Sequence, residues 1–222
     1  SGAPRGARPG AHPLASRAST SNQKHSDGGF TLLEALVVLG LVVTLGVAAT
    51  PPLLRWSNGL RVRLAADELV GVLRVARMAA IRYSAKVGVK FQPGAGDATR
   101  FRLYRDGDGD GVRSRDIETG TDPPLQPPRD LAHVGRQIRF GFPQGVVPRD
   151  PSNPSRRLDR LDDPIRFNRS DIASFDNFGG STPGSLYITD GLHHLAAVRV
   201  YGRTGKVKVI CYDIEREVWD PC

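Results

Sequence analysis

Between Ala35 and Leu54 the chain runs for twenty residues without a charge, most of them Leu, Val and Ala. A helix of about that length crosses the hydrocarbon core of a bilayer, and a shorter apolar run can serve an export signal. The run therefore predicts a membrane-anchored or a secreted protein. Glu34 stands directly before it, inside "GGFTLLEALVVLG". An ionised carboxylate in the apolar core of a membrane helix costs several kcal/mol unless it is paired, so its presence asks for a partner or a role.

The flanks of the run divide the chain into three. Residues 1–29 are rich in Gly, Pro, Ser and Ala and show no hydrophobic period; they read as an unstructured leader. Arg5, Arg8, Arg17 and Lys24 against Asp27 give that leader +3, and Glu34 contributes −1, so residues 55–222 carry +6 of the total +8. An excess this diffuse permits contact with an anionic polymer or lipid without demanding it. Residues 30–54 form the apolar segment, and residues 55–222 the remaining domain. In that domain Val62, Ala65, Leu69, Val72, Ala76, Ala79 and Tyr83 recur in steps of three and four, with Arg63, Asp67, Arg74 and Arg77 on the other side. The pattern predicts one long helix from about Phe30 to Ser84, roughly 80 Å at 1.5 Å per residue, kinked at Pro51 and Pro52.

After residue 84 the period becomes two. Strands are predicted at 86–92, 100–106, 137–142, 164–168, 184–190, 195–202 and 205–213, with hairpin turns at Asp190-Gly191 and Thr204-Gly205. The stretch from Asp106 to Pro164, heavy in Pro, Gly and Arg, reads as surface insertions around one short strand. The two cysteines, Cys211 and Cys222, would form a disulfide outside a reducing compartment and a free pair inside one.

The motif around Glu34 resembles the N-terminus of type IV pilins and of the pseudopilins of type II secretion. In that family a leader ends in Gly, an aromatic residue opens the mature chain and Glu is the fifth mature residue. On this chain the resemblance implies cleavage by a prepilin peptidase after Gly29, N-methylation of Phe30, and a role in assembly for Glu34, whose carboxylate would pair with the α-amine of a neighbouring subunit. The stretches "ELVGVLRVARMAAIRYSAKVGVKF", "PIRFNRSDIASFDNFGGS" and "VRVYGRTGKVKVICYD" are similar to the helix end, middle strand and last hairpin of the GspH/FimT group of minor subunits. The fold so implied is α+β and pilin-like, with a long kinked helix, half transmembrane and half amphipathic, packed on a small antiparallel β-sheet domain. The function implied is that of a minor pseudopilin or pilin-like structural subunit, not an enzyme. Its implied partners are prepilin peptidase, other pilin or pseudopilin subunits and the inner membrane. The implied location is a single pass through that membrane with the C-terminal domain in the periplasm, then a pilus or pseudopilus.

Two other readings stand beside this one. Asp106, Asp108 and Asp110 in "DGDGDGVRSRD", with the Val112 carbonyl and Asp116, follow the opening of a calcium loop, although the twelfth position is Ile117; Ca2+ is the one cofactor the sequence suggests. A cut before Thr50, after the small residues of "VAAT", would leave a secreted calcium-binding module. Alternatively, Arg203, Lys206 and Lys208 occupy the place where DNA-uptake pilins of the group carry a basic stretch, which implies contact with DNA; Asp213, Glu215 and Glu217 dilute the local field. His193 and His194 lack a cluster at metal-ligand spacing, and no nucleophile-base pattern or phosphate loop stands out.

Overall fold

The computed structural model describes the backbone of residues 31–93 and 99–222, with side chains except at 48–55 and 93. The leader, Gly29 and Phe30 lie outside the described residues. The chain divides into two compact units, Ser1–Gly46 and Val47–Cys222.

Helix α1 is assigned over Leu32–Tyr83. Thr31 caps its start: the Glu34 N–H donates to Thr31 Oγ1 at 3.2 Å, one half of a Thr-x-x-Glu capping box. In the first unit the side chains of this helix are exposed. In the second unit Val62, Ala65, Ala66, Leu69, Val70, Val72, Leu73, Ala76 and Ala80 form a buried stripe, while Arg63, Asp67 and Arg74 face solvent. Pro51 and Pro52, the expected kink, fall within the helical assignment, their side chains outside those described. The helix ends in a left-handed residue, Ser84 (φ 51°). There the Ala85 N–H donates to Ala80 O and the Ser84 N–H to Ile81 O, the paired closure that usually has Gly at this point.

The remaining chain of the second unit is β-rich. Strands β1 (Val87–Pro93), β2 (Thr99–Arg105) and β7 (Ile172–Phe175) make one sheet in the order β2-β1-β7. Strands β3 (Arg139–Phe140), β8 (Gly184–Thr189), β9 (Leu195–Tyr201), β10 (Lys206–Asp213) and β11 (Val218–Pro221) make a second in the order β11-β10-β9-β8-β3. Strand β6 (Ile165–Arg166) also pairs with β8, and β4 (Arg149–Asp150) with β5 (Asn153–Arg157) forms a separate ribbon. All the ladders are antiparallel. The α1 stripe shares one core with Val87, Val89, Phe91, Phe101 and Leu103 of the first sheet and Leu186, Ile188, Ala196, Val198 and Val200 of the second. Burying side chains such as Leu69 and Leu73 is worth about 1.5–3 kcal/mol each.

This architecture corrects the predicted fold class and location. Among the described residues no helix is long and apolar enough to cross a membrane, so a pilin-like helix with a transmembrane half, and with it single-pass anchoring in an inner membrane, is not supported. A span needs roughly 20 predominantly apolar residues, and the described helix residues do not meet that requirement. The described residues hold eleven strands in three antiparallel sheets, of three, six and two strands. The stretch from Asp106 to Pro164 is likewise more than a surface insertion. It carries a short helix α2 (Ser114–Thr119) and strands β3, β4 and β5. From it Phe142, Val146 and Leu158 cover the face of the larger sheet opposite α1, against Tyr187, Leu195, Tyr212 and Trp219.

Candidate functional site

Three places gather the residues that the sequence singled out. At the first, Glu34 lies exposed in the first turn of α1, where a carboxylate also complements the positive end of the helix dipole. The side chains around it are apolar and open: Leu32, Leu33, Leu36, Val37 and Val38 are each between 47% and 82% exposed.

The second is the aspartate loop, residues 106–116, between β2 and α2. Its backbone is folded around two carboxylates. Asp106 is buried; its Oδ1 accepts the Gly109 N–H at 2.7 Å and its Oδ2 the Gly111 N–H at 2.9 Å. Asp122, fully buried and not singled out from sequence, accepts the Gly107 N–H through Oδ1 and the Arg113 N–H through Oδ2, each at 3.0 Å. A side chain at Gly107 would bring its Cβ to 2.0 Å from Thr121 O, so only glycine permits this closure. On the protein side Val112 and Ile117 pack with Tyr104 and Ile172. Gly88 of β1 leaves them room, since a Cβ there would sit 2.7 Å from Ile172 Cγ2. Thus Ile117 holds the position where a calcium loop would have its closing carboxylate, because that position is needed for the core.

Around this scaffold three other carboxylates converge. Oxygens of Asp108, Asp110 and Asp116 lie within 4.8 Å of one another. Asp108 and Asp110 are exposed; Asp116, on α2, is 4% exposed. The Asp110 N–H donates to Asp108 Oδ1, which holds the Asp108 carboxyl below its usual range. Asp110 is pushed the other way, by desolvation and by the charges of Asp108 and Asp116, with the Arg113 ion pair opposing. Asp116 Oδ1 meets Arg115 Nε at 3.4 Å, and Oδ2 is buried with no hydrogen-bond partner.

No protein-family model matches the chain, and neither does any curated protein or solved structure. The chemistry of these places therefore has to be read from their geometry.

The third place is the β9–β10 hairpin. Arg203, Lys206 and Lys208 are exposed and border an open groove of about 400 Å³ with Tyr201, Gly202 and Thr204. Arg199 is committed elsewhere: it donates to Pro151 O and Ser152 Oγ, both at 2.7 Å, and lies over the Tyr201 ring. Glu217 is taken up by Arg149 and Arg157, each at 2.7 Å, so it subtracts less from the hairpin's positive field than its sequence position implies. Beyond the hairpin, Cys211 on β10 is bridged to Cys222.

His193 and His194 belong to a structural turn. Buried Asp190 accepts the N–H groups of Leu192, His193 and His194 through Oδ1 and contacts His194 Nδ1 through Oδ2 at 2.8 Å. Burial alone would raise its pKa, but these hydrogen bonds outweigh it and hold the carboxyl at about 2. The His194 ring in turn lies against α1, where a Cβ at Gly59 would come within 2.9 Å of it.

Proposed function

We propose that this chain is a structural assembly subunit, a minor pseudopilin or pilin-like protein, matured by prepilin peptidase at Gly29 and N-methylated on Phe30. The observation that carries the reading is the first unit's helix: a carboxylate in its first turn, followed by large apolar side chains exposed on every side. A helix that is apolar all round needs cover from other chains. Packing against copies or related subunits supplies it, and then Glu34 is desolvated unless an opposite charge meets it. The free α-amine at Phe30 of a neighbour is such a charge, and it exists only after the leader is cut. Register is thereby tested by burial: a misaligned neighbour leaves both charges unpaired. The Cys211–Cys222 disulfide fits a domain that resides in an oxidising compartment.

The test is incorporation into filaments of the full chain expressed with its companion subunits. Glu34→Gln and Glu34→Ala should leave accumulation and leader removal unchanged while incorporation drops at least tenfold; wild-type incorporation of both variants would contradict the reading. A second reading, a DNA-binding minor pilin, is favoured by the groove at Arg203, Lys206 and Lys208. It predicts salt-dependent DNA affinity that weakens in Lys206→Ala/Lys208→Ala with a shallower salt slope, by about one counterion per lost contact. Unchanged affinity in that double variant would remove it.

A further inference from the structure

We infer that Asp108, Asp110 and Asp116 form a binding site for a hard divalent cation, with calcium the ion that suits it. The site is independent of the assembly reading. Two observations carry it. First, oxygens of the three carboxylates lie within 4.8 Å of one another. Like charges that close repel by roughly 1 kcal/mol per pair even in water, and more where solvent is excluded. Second, Asp116 is 4% exposed, and its Oδ2 has no hydrogen-bond donor. A buried carboxylate oxygen left without a donor costs about 1–3 kcal/mol or more, and native proteins rarely tolerate it without cause. A cation at the centre of the trio answers both at once: it offsets the repulsion and supplies the partner that Oδ2 lacks.

The structure also separates ligands from scaffold. Asp106 heads the sequence motif, but both its oxygens are engaged by the N–H groups of Gly109 and Gly111, as those of Asp122 are by Gly107 and Arg113. These two shape the loop from inside. Asp108, Asp110 and Asp116 are turned to the other task, and Asp116 replaces the carboxylate that the core-facing Ile117 cannot provide. An all-carboxylate set favours Ca2+ or Mg2+ over zinc or copper, and a loop ligand set without strict octahedral constraint favours the larger ion. Arg113 pairs with Asp110 and Arg115 with Asp116, so each competes with the ion, and affinity falls in the weak range of extracellular calcium modules, about 0.1–1 mM.

Calcium chloride titrated calorimetrically into the full chain, stripped with chelator, tests the site. The expected result is one-site binding that weakens at least tenfold in Asp116→Asn and in Asp108→Asn and tightens severalfold in Arg113→Gln. Asp108 is exposed, so its variant keeps the fold even where the buried Asp116 variant does not. Absence of heat up to about 10 mM calcium, well above that range, overturns the inference, as does wild-type affinity in Asp108→Asn.

Discussion

Helix α1 contains two stretches built from nearly the same residues and used in opposite ways. From Leu32 to Val47 the large apolar side chains are at least 47% exposed; from Val62 to Ala80 nine apolar side chains are at most 7% exposed. Their apolar residues are of the same kinds, mainly Leu, Val and Ala; what differs is the placing of charge among them. The second stretch sets Arg63, Asp67 and Arg74 on one side and leaves a single stripe that two sheets can cover. The first is apolar on every side, so no one surface of its own chain could satisfy it. The lesson is that patterning decides whether a helix finds its cover within the chain or must wait for another molecule.

That contrast is sharpest under truncation. Leu73→Ala should cost about 2–5 kcal/mol in urea unfolding, because Leu73 is fully buried between helix and sheets. Leu39→Ala, the same chemistry at an exposed site, should change the same measurement by less than about 0.5 kcal/mol. Similar losses at both positions would erase the distinction. A smaller effect is expected at the far edge of the second unit. Cys222→Ser opens the bridge between β10 and the chain end and should lower stability by about 2–3 kcal/mol, with the Leu73 and Leu39 effects unchanged.

The smallest of the three concerns acid. The Asp190 carboxyl titrates near 2 in the folded chain against about 3.8 unfolded. Its folded pKa is depressed, so its contribution is complete above about pH 4 and is lost as pH falls toward 2. Asp190→Asn should therefore lower stability by about 1–2 kcal/mol at pH 7 and flatten the acid limb of the stability curve between pH 4 and 2. An unchanged acid limb would show that the turn against Gly59 does not depend on that charge.

Much of the second unit is legible in the sequence because its signals are local. The steps of three and four from Val62 to Ala79 mark the buried face, and the alternation in "KVGVKF" and "LAAVRVY" marks β1 and β9. Tyr83 ends up exposed, since the stripe stops one turn earlier at Ala80. Strands β4, β5, β7 and β11 leave little trace in the pattern: β4 and β5 pair with each other outside the main core, β4 half-buried and β5 exposed, and β7 is a four-residue stretch hidden beside Asp171 and Asp176. Asp122 is invisible to a motif search because its role is defined by contact with Gly107 and Arg113, many residues earlier, and only the dipeptide Asp-Pro hints at a fixed turn. The expected membrane span fails for the opposite reason. It rests on one continuous uncharged run read from the sequence, and among the described residues no helix is long and apolar enough to cross a membrane.

The claim that ties Glu34 to its surroundings is that the chain acquires a new amino terminus beside it. Mass spectrometry of the amino-terminal peptide, from protein produced with its own processing machinery, reads this directly. A mature chain beginning at Phe30 and carrying one methyl group is the predicted result. A chain beginning at Thr50, or one with residues 1–29 still attached, would contradict the account.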